Sequence, residues 1–127
     1  NYCRIQFYGD TNTNILDDDT TSEKINKLPC IEVEGDNGIR LASSSYVQFG
    51  WMRLRGKDNN SYFANLYTGA NLHVVSCDIS NVKAPAYVDS TSRFTISYCR
   101  GNVEKLAYAV GGANLNTSYV TVKLYLP

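Results

Sequence analysis

The feature that most constrains this chain is a strand-like triplet, apolar-x-apolar, that returns at a nearly constant interval along its length. One series reads Ile5-Gln6-Phe7, Ile31-Glu32-Val33, Met52-Arg53-Leu54, Cys77-Asp78-Ile79 and Cys99-Arg100-Gly101, at offsets of 26, 21, 25 and 22 residues. A second reads Val47-Gln48-Phe49, Leu72-His73-Val74, Phe94-Thr95-Ile96 and Val120-Thr121-Val122, at offsets of 25, 22 and 26. A third reads Ile39-Arg40-Leu41, Ala64-Asn65-Leu66, Ala86-Tyr87-Val88 and Ala107-Tyr108-Ala109. The series drift together, so they belong to one repeating unit, and self-similarity at this period marks stacked repeats.

Runs of turn formers such as Ser43-Ser44-Ser45, Thr68-Gly69-Ala70-Asn71 and Gly111-Gly112-Ala113-Asn114 separate the third series from the second. Each unit is thus three short strands and three corners. Alternation sends one set of side chains inward, where equivalent positions stack as ladders, and the other outward. The expected fold is all-β, a right-handed parallel β-helix of about five coils of 21–26 residues, forming one domain over 1–127. An antiparallel sandwich also repeats strands and turns, but gives no reason for three series to share one drift. Two segments leave the pattern. Residues 10–30 form a polar excursion with Asp17-Asp18-Asp19 and a short helix expected from Ser22 to Lys27, and residues 118–127 are expected as a terminal strand or cap.

Charge narrows the function. Twelve Lys plus Arg balance twelve Asp plus Glu, which leaves no basic footprint for nucleic acid or for an anionic membrane. The sequence has no long apolar stretch and does not open on the basic-then-apolar order of a signal peptide. Cys3, Cys30, Cys77 and Cys99 contain no CxxC pair and no Cys/His metal spacing, and reduced thiols are expected throughout, Cys77 and Cys99 as small buried hydrophobes. No cofactor and no metal is expected. The sequons at Asn59 and Asn116 are short enough to arise by chance.

The outward positions Gln6, Glu32, Arg53, Asp78 and Arg100 should stack on one face, with Glu34 and Arg55 beside them, as an ion-pair ladder. Carboxylates for glycoside chemistry would have to converge across a cleft; the candidates are Asp78 with Asp58 or Asp36. His73 falls on an outer face with no Ser or Cys partner expected nearby, so a nucleophilic triad is not anticipated. The aromatics give a stronger signal. Trp51 and Tyr98 hold equivalent places in their units, and with Tyr46 and Tyr67 they are the candidate platforms for sugar rings.

The units Val47-Gln48-Phe49-Gly50-Trp51-Met52-Arg53-Leu54, Leu72-His73-Val74-Val75-Ser76-Cys77-Asp78-Ile79 and Phe94-Thr95-Ile96-Ser97-Tyr98-Cys99-Arg100 resemble coils of the pectate-lyase-like right-handed β-helix superfamily. The resemblance covers residues 31–122 well and the first coil loosely. It implies several possible roles. The neutral charge and many outward Tyr are most similar to a segment of a bacteriophage tail fibre or tailspike. That implies a homotrimer, a host-surface polysaccharide as partner, assembly in the bacterial cytoplasm and residence in the virion. Alternatives are a polysaccharide-degrading lyase or hydrolase, or a bacterial surface adhesin, secreted or held at the cell surface. No catalytic residues of the superfamily carry over, because this chain lacks the longer catalytic loops.

Overall fold

A strand that alternates apolar and polar residues can bury only one face, and a triplet repeated every two dozen residues buries it by stacking on its own copies. The computed structural model describes residues 4–13, 15, 22–35, 38–118 and 121–123. Its elements are β1 (Arg4–Tyr8), α1 (Ser22–Asn26), β2 (Cys30–Val33), β3 (Ile39–Leu41), β4 (Tyr46–Gly50), β5 (Arg53–Leu66), β6 (Asn71–Val75), β7 (Asp78–Val88), β8 (Arg93–Ser97), β9 (Arg100–Asn102), β10 (Tyr108–Ala109), β11 (Asn114–Ser118) and β12 (Thr121–Lys123). One sheet runs β1-β4-β6-β8-β11 and the other β2-β5-β7-β9-β12, with β3 on β5 and β10 on β7. Every pairing is parallel. The chain is a β-solenoid of about four turns.

Residues in the left-handed region make most of the corners. Trp51, Ser76 and Tyr98, at φ of 52°, 52° and 53°, turn the chain from the first sheet into the second. Asn59 and Asn81, at φ of 54° and 58°, bend β5 and β7 midway, so that their first halves pair with β2 and β9 and their second halves with β3 and β10. Asn tolerates this region better than most residues. The third corner is held by side chains of the neighbouring coil. The backbone N–H groups of Thr68, Gly69 and Ala70 donate to Asp89 Oδ2, Thr91 Oγ1 and Ser92 Oγ at 2.9, 2.9 and 3.2 Å. The peptide and hydroxyl of Thr91 also donate to Asp89 Oδ1, and these bonds pull the Asp89 carboxyl down to about 2.

Inside the coils, Val47, Leu72 and Phe94 stack in one column, Phe49, Val74 and Ile96 in a second, and Leu41, Leu66 and Val88 in a third, all buried. Each such side chain contributes about 1.5–3 kcal/mol by leaving water. The columns are open at their ends, where Ile5, Phe7 and Leu115 stay exposed. Residues 22–26 form the expected short helix, and the excursion builds a small core of its own from Ile15, Ile25 and Leu28. Arg53 Nε donates to Leu28 O at 3.1 Å and Arg100 Nη1 to Ile15 O at 3.4 Å, which fastens the excursion against the outer face of the second sheet.

The third series and the first three members of the second stand in the register read from the sequence. Three assignments are corrected. Ile5-Gln6-Phe7 belongs to the second series, in register with Val47-Gln48-Phe49. Ile31 stands beside Leu54 rather than Met52, a slip of two residues. The fourth member of the second series is Leu115-Asn116-Thr117, while β12 continues the first series beside β9. Within 118–127 the structure describes the end of β11 and β12; the remaining residues of that terminal segment lie outside the described residues.

Candidate functional site

Two outward faces carry side chains that do more than fill the coil. On the second sheet the charges stand in pairs across coils: Arg55 Nε lies 3.2 Å from Glu32 Oε2, Lys57 Nζ 3.0 Å from Glu34 Oε1, and Arg100 Nε 3.5 Å from Asp78 Oδ1. The expected ladder exists, shifted by the two-residue slip, so Glu32 meets Arg55 rather than Arg53, and Gln6 is on the other sheet. Burial pushes the Asp78 carboxyl up, against the opposing pull of Arg100 and Arg53. Asp58 lies five residues along β5 from Arg53, the residue in register with Asp78, and the two carboxyls are not brought together. Asp36 and Asp17-Asp18-Asp19 lie outside the described residues.

His73 occupies the outer column of β6, between Gln48 and Thr95, and its Nε2 stands 3.5 Å from Ser97 Oγ, a neighbour the triplet pattern did not anticipate. Cys77 and Cys99 are buried free thiols in adjacent coils, with the Cys77 N–H donating to Cys99 Sγ at 3.4 Å. Burial drives the Cys77 thiol well up, so it stays protonated. Cys30 is a free thiol at the surface, and Cys3 lies outside the described residues.

The proposed aromatic platforms separate. Trp51 and Tyr98 are equivalent corner residues with Ser76 between them, and Tyr8 meets Trp51 edge to face at 5.3 Å. Tyr46 is half-buried at the start of β4. Tyr67 joins a cluster of several rings whose other members, Tyr62, Tyr87 and Tyr108, are not among the platforms expected from the sequence. Register places Arg40, Asn65, Tyr87 and Tyr108 in one outward column along β3, β5, β7 and β10. Tyr87 and Tyr108 stack at 5.5 Å with planes 13° apart. Tyr62 lies 5.6 Å from Tyr87 and 6.2 Å from Tyr108, and Tyr67 lies 6.1 Å from Tyr87. Beneath them Asn65 is buried and accepts the Tyr67 hydroxyl at 3.3 Å. Lys105 Nζ sits 4.8 Å above the Tyr108 ring.

This tyrosine face is apolar in its rings and polar at its rim. Burial, then the neighbouring phenols, raise the Tyr62 hydroxyl further above its ordinary range, so it remains a hydrogen-bond donor. Stacked rings use much of their faces on each other and present edges and hydroxyls outward, with Tyr108 the most open. Such a surface suits an amphipathic partner that offers both C–H faces and hydroxyl groups.

Fold and site together define a β-solenoid that carries a partly exposed tyrosine ladder on one face and a closed ion-pair ladder on another. Comparison with protein-family models, curated proteins and solved structures returns no match.

Proposed function

We propose that this β-solenoid is a structural and glycan-recognition module of a phage or prophage tail fibre or tailspike, which works as a homotrimer and engages a host-surface polysaccharide. The observation that carries the reading is the cluster of Tyr62, Tyr67, Tyr87 and Tyr108 around the buried amide of Asn65. The likeness of the coils to the pectate-lyase-like superfamily supports it. A surface adhesin would use the same face. The polysaccharide-degrading alternative leans on Asp78, the carboxyl that burial raises, but Arg100 pairs with that carboxyl and the excursion hydrogen-bonds to Arg53 and Arg100 beside it.

The test is binding of the purified chain to an immobilised panel of bacterial surface polysaccharides, alongside Tyr108→Ala, with the solution mass measured by light scattering. The expected result is glycan capture that Tyr108→Ala weakens about tenfold, and a mass three times that of the 14.1 kDa chain. A monomer that captures no glycan would overturn the reading. Depolymerisation of a captured glycan, abolished in Asp78→Asn, would replace it with the enzyme.

A further inference from the structure

The corner that bends β5 and β7 encloses a depression of about 390 Å³, lined by Asn59, Asn81, Val82 and Glu104. Small-ligand sites range over roughly 300–1,000 Å³. Val82 gives it an apolar floor, buried in the core, and the other three residues give it a polar wall. Asn81 Nδ2 donates to Gly56 O at 2.6 Å and to Lys57 O at 3.1 Å. Its amide hydrogens are thereby engaged with the neighbouring coil, and Oδ1 is the hydrogen-bonding atom it has left to offer.

Glu104 enters from the bend after β9, which is anchored because the N–H groups of Glu104 and Lys105 donate to Lys83 O at 2.8 and 3.2 Å. Glu32, Glu34 and Asp78 are each matched with a cation, whereas the exposed Glu104 carboxylate makes no ion pair with any described residue. The next residue, Lys105, lies over Tyr108. The depression and the tyrosine face therefore adjoin, joined by one short bend.

A ligand in this depression meets two acceptors, the Glu104 carboxylate and the Asn81 oxygen, beside the Asn59 amide, which can donate as well as accept, so the ligand that fits best brings several donors and few acceptors. Vicinal hydroxyls of a pyranose do so, and a carboxylate can accept two at once in charge-assisted bonds. A uronate or sulfated sugar brings further acceptors and a negative charge against Glu104, which disfavours it. We propose that Asn59, Asn81 and Glu104 form a subsite for a neutral sugar residue, with the rest of the saccharide running onto Tyr108, Tyr87 and Tyr62. This rests on the glycan-recognition reading, and adds to it the class of sugar and the residues that select it.

Titration calorimetry of the whole chain with neutral gluco-, galacto- and manno-oligosaccharides, and with oligogalacturonate and sialylated oligosaccharides, tests it. At least one neutral series should bind ten times or more tighter than any acidic one. Glu104→Gln, an exposed substitution whose fold is checked by circular dichroism, should weaken the neutral sugar about tenfold and narrow the gap to the acidic sugars. Acidic sugars binding as tightly as neutral ones, or a Glu104→Gln variant with unchanged affinity, would sink the subsite while leaving glycan recognition standing. Failure of the wild-type chain to bind either set would remove both.

Discussion

Leu72→Ala and Leu115→Ala remove the same atoms from the same inner column at two different heights, and the solenoid fixes how differently they should behave. Leu72 is 2% exposed and stands in register between Val47 and Phe94, one coil away on either side. Parallel ladders hold those coils about 4.8 Å apart, so the walls cannot close on the vacated space. Lost transfer energy and an unrelaxed cavity then add, which puts the cost in the upper part of the usual range, about 3–5 kcal/mol. Leu115 closes the column beside Phe94 and is 43% exposed. Its truncation opens no enclosed cavity and forfeits roughly half the transfer of the removed carbons, about 1 kcal/mol. Equilibrium urea unfolding followed by far-UV circular dichroism measures both. The expected result is a gap of about 2 kcal/mol or more at similar denaturant slope. Equal costs would refute the stacked-coil account, because Leu115 would then have to be covered as Leu72 is.

Asp89 holds the peptide of Thr68 and both donors of Thr91 in its charged form, with its carboxyl lowered to about 2. A depressed carboxyl stabilises above its unfolded value and loses that contribution as pH falls through 2, so Asp89→Ala should lower the urea midpoint at neutral pH and approach wild type only below about pH 2. Asp78 has the opposite sign: its raised carboxyl makes the charged form a burden on folding as pH rises above the ordinary value. Asp78→Asn should therefore change neutral-pH stability by less than about 1 kcal/mol, whereas Arg100→Met, which strips the carboxylate of its partner, should cost more; the reverse order in thermal melts would count against it. A thiol reagent should modify exposed Cys30 quickly in the native protein and reach buried Cys77 and Cys99 only on unfolding, and rapid native labelling of either would contradict their burial.

The three-strand coil was legible because its triplets alternate in step, and the third series was legible in full because small Ala residues and the corner runs bracket each strand. The errors share a physical cause. Alternation has a period of two, so a two-residue slip leaves every side chain on its proper face, and Ile31 fits beside Met52 as well as beside Leu54 by pattern alone. Ile5-Gln6-Phe7 carries the alternation of either sheet, and the long excursion after it removes the spacing that would decide. Leu115-Asn116-Thr117 holds a single large apolar residue, so the better-patterned Val120-Thr121-Val122 took its place. Tyr62 escaped because it follows the Asn59 corner inside β5, where the register is irregular and no triplet marks the face. The depression at Glu104 has no sequence signature: a bend after β9 brings Glu104 beside Asn59 and Asn81, and a triplet pattern does not record bends.

What chooses between the two registers of the second sheet is the corner, and the charges are indifferent. The slipped register would set Glu32 beside Arg53 and Glu34 beside Arg55, opposite charges again, and part-exposed pairs of this kind contribute only about 0–1 kcal/mol each. The corner carbonyls do discriminate. Pro29 O accepts the Arg53 N–H at 2.8 Å, Met52 O the Asp78 N–H at 3.0 Å and Cys77 O the Arg100 N–H at 3.1 Å, one bond repeated at each coil just after the left-handed turns. Displacing β2 by two residues would pass the Arg53 N–H to Ile31 O and set Pro29 O opposite the Trp51 N–H, which already donates to Val75 O, so one carbonyl at the coil edge would lose its partner. Register thus resides in a few corner peptides. The outward side chains of the strands are then free of that duty, and the excursion occupies one such face while Tyr62, Tyr87, Tyr108 and Glu104 stay wholly or partly exposed on another.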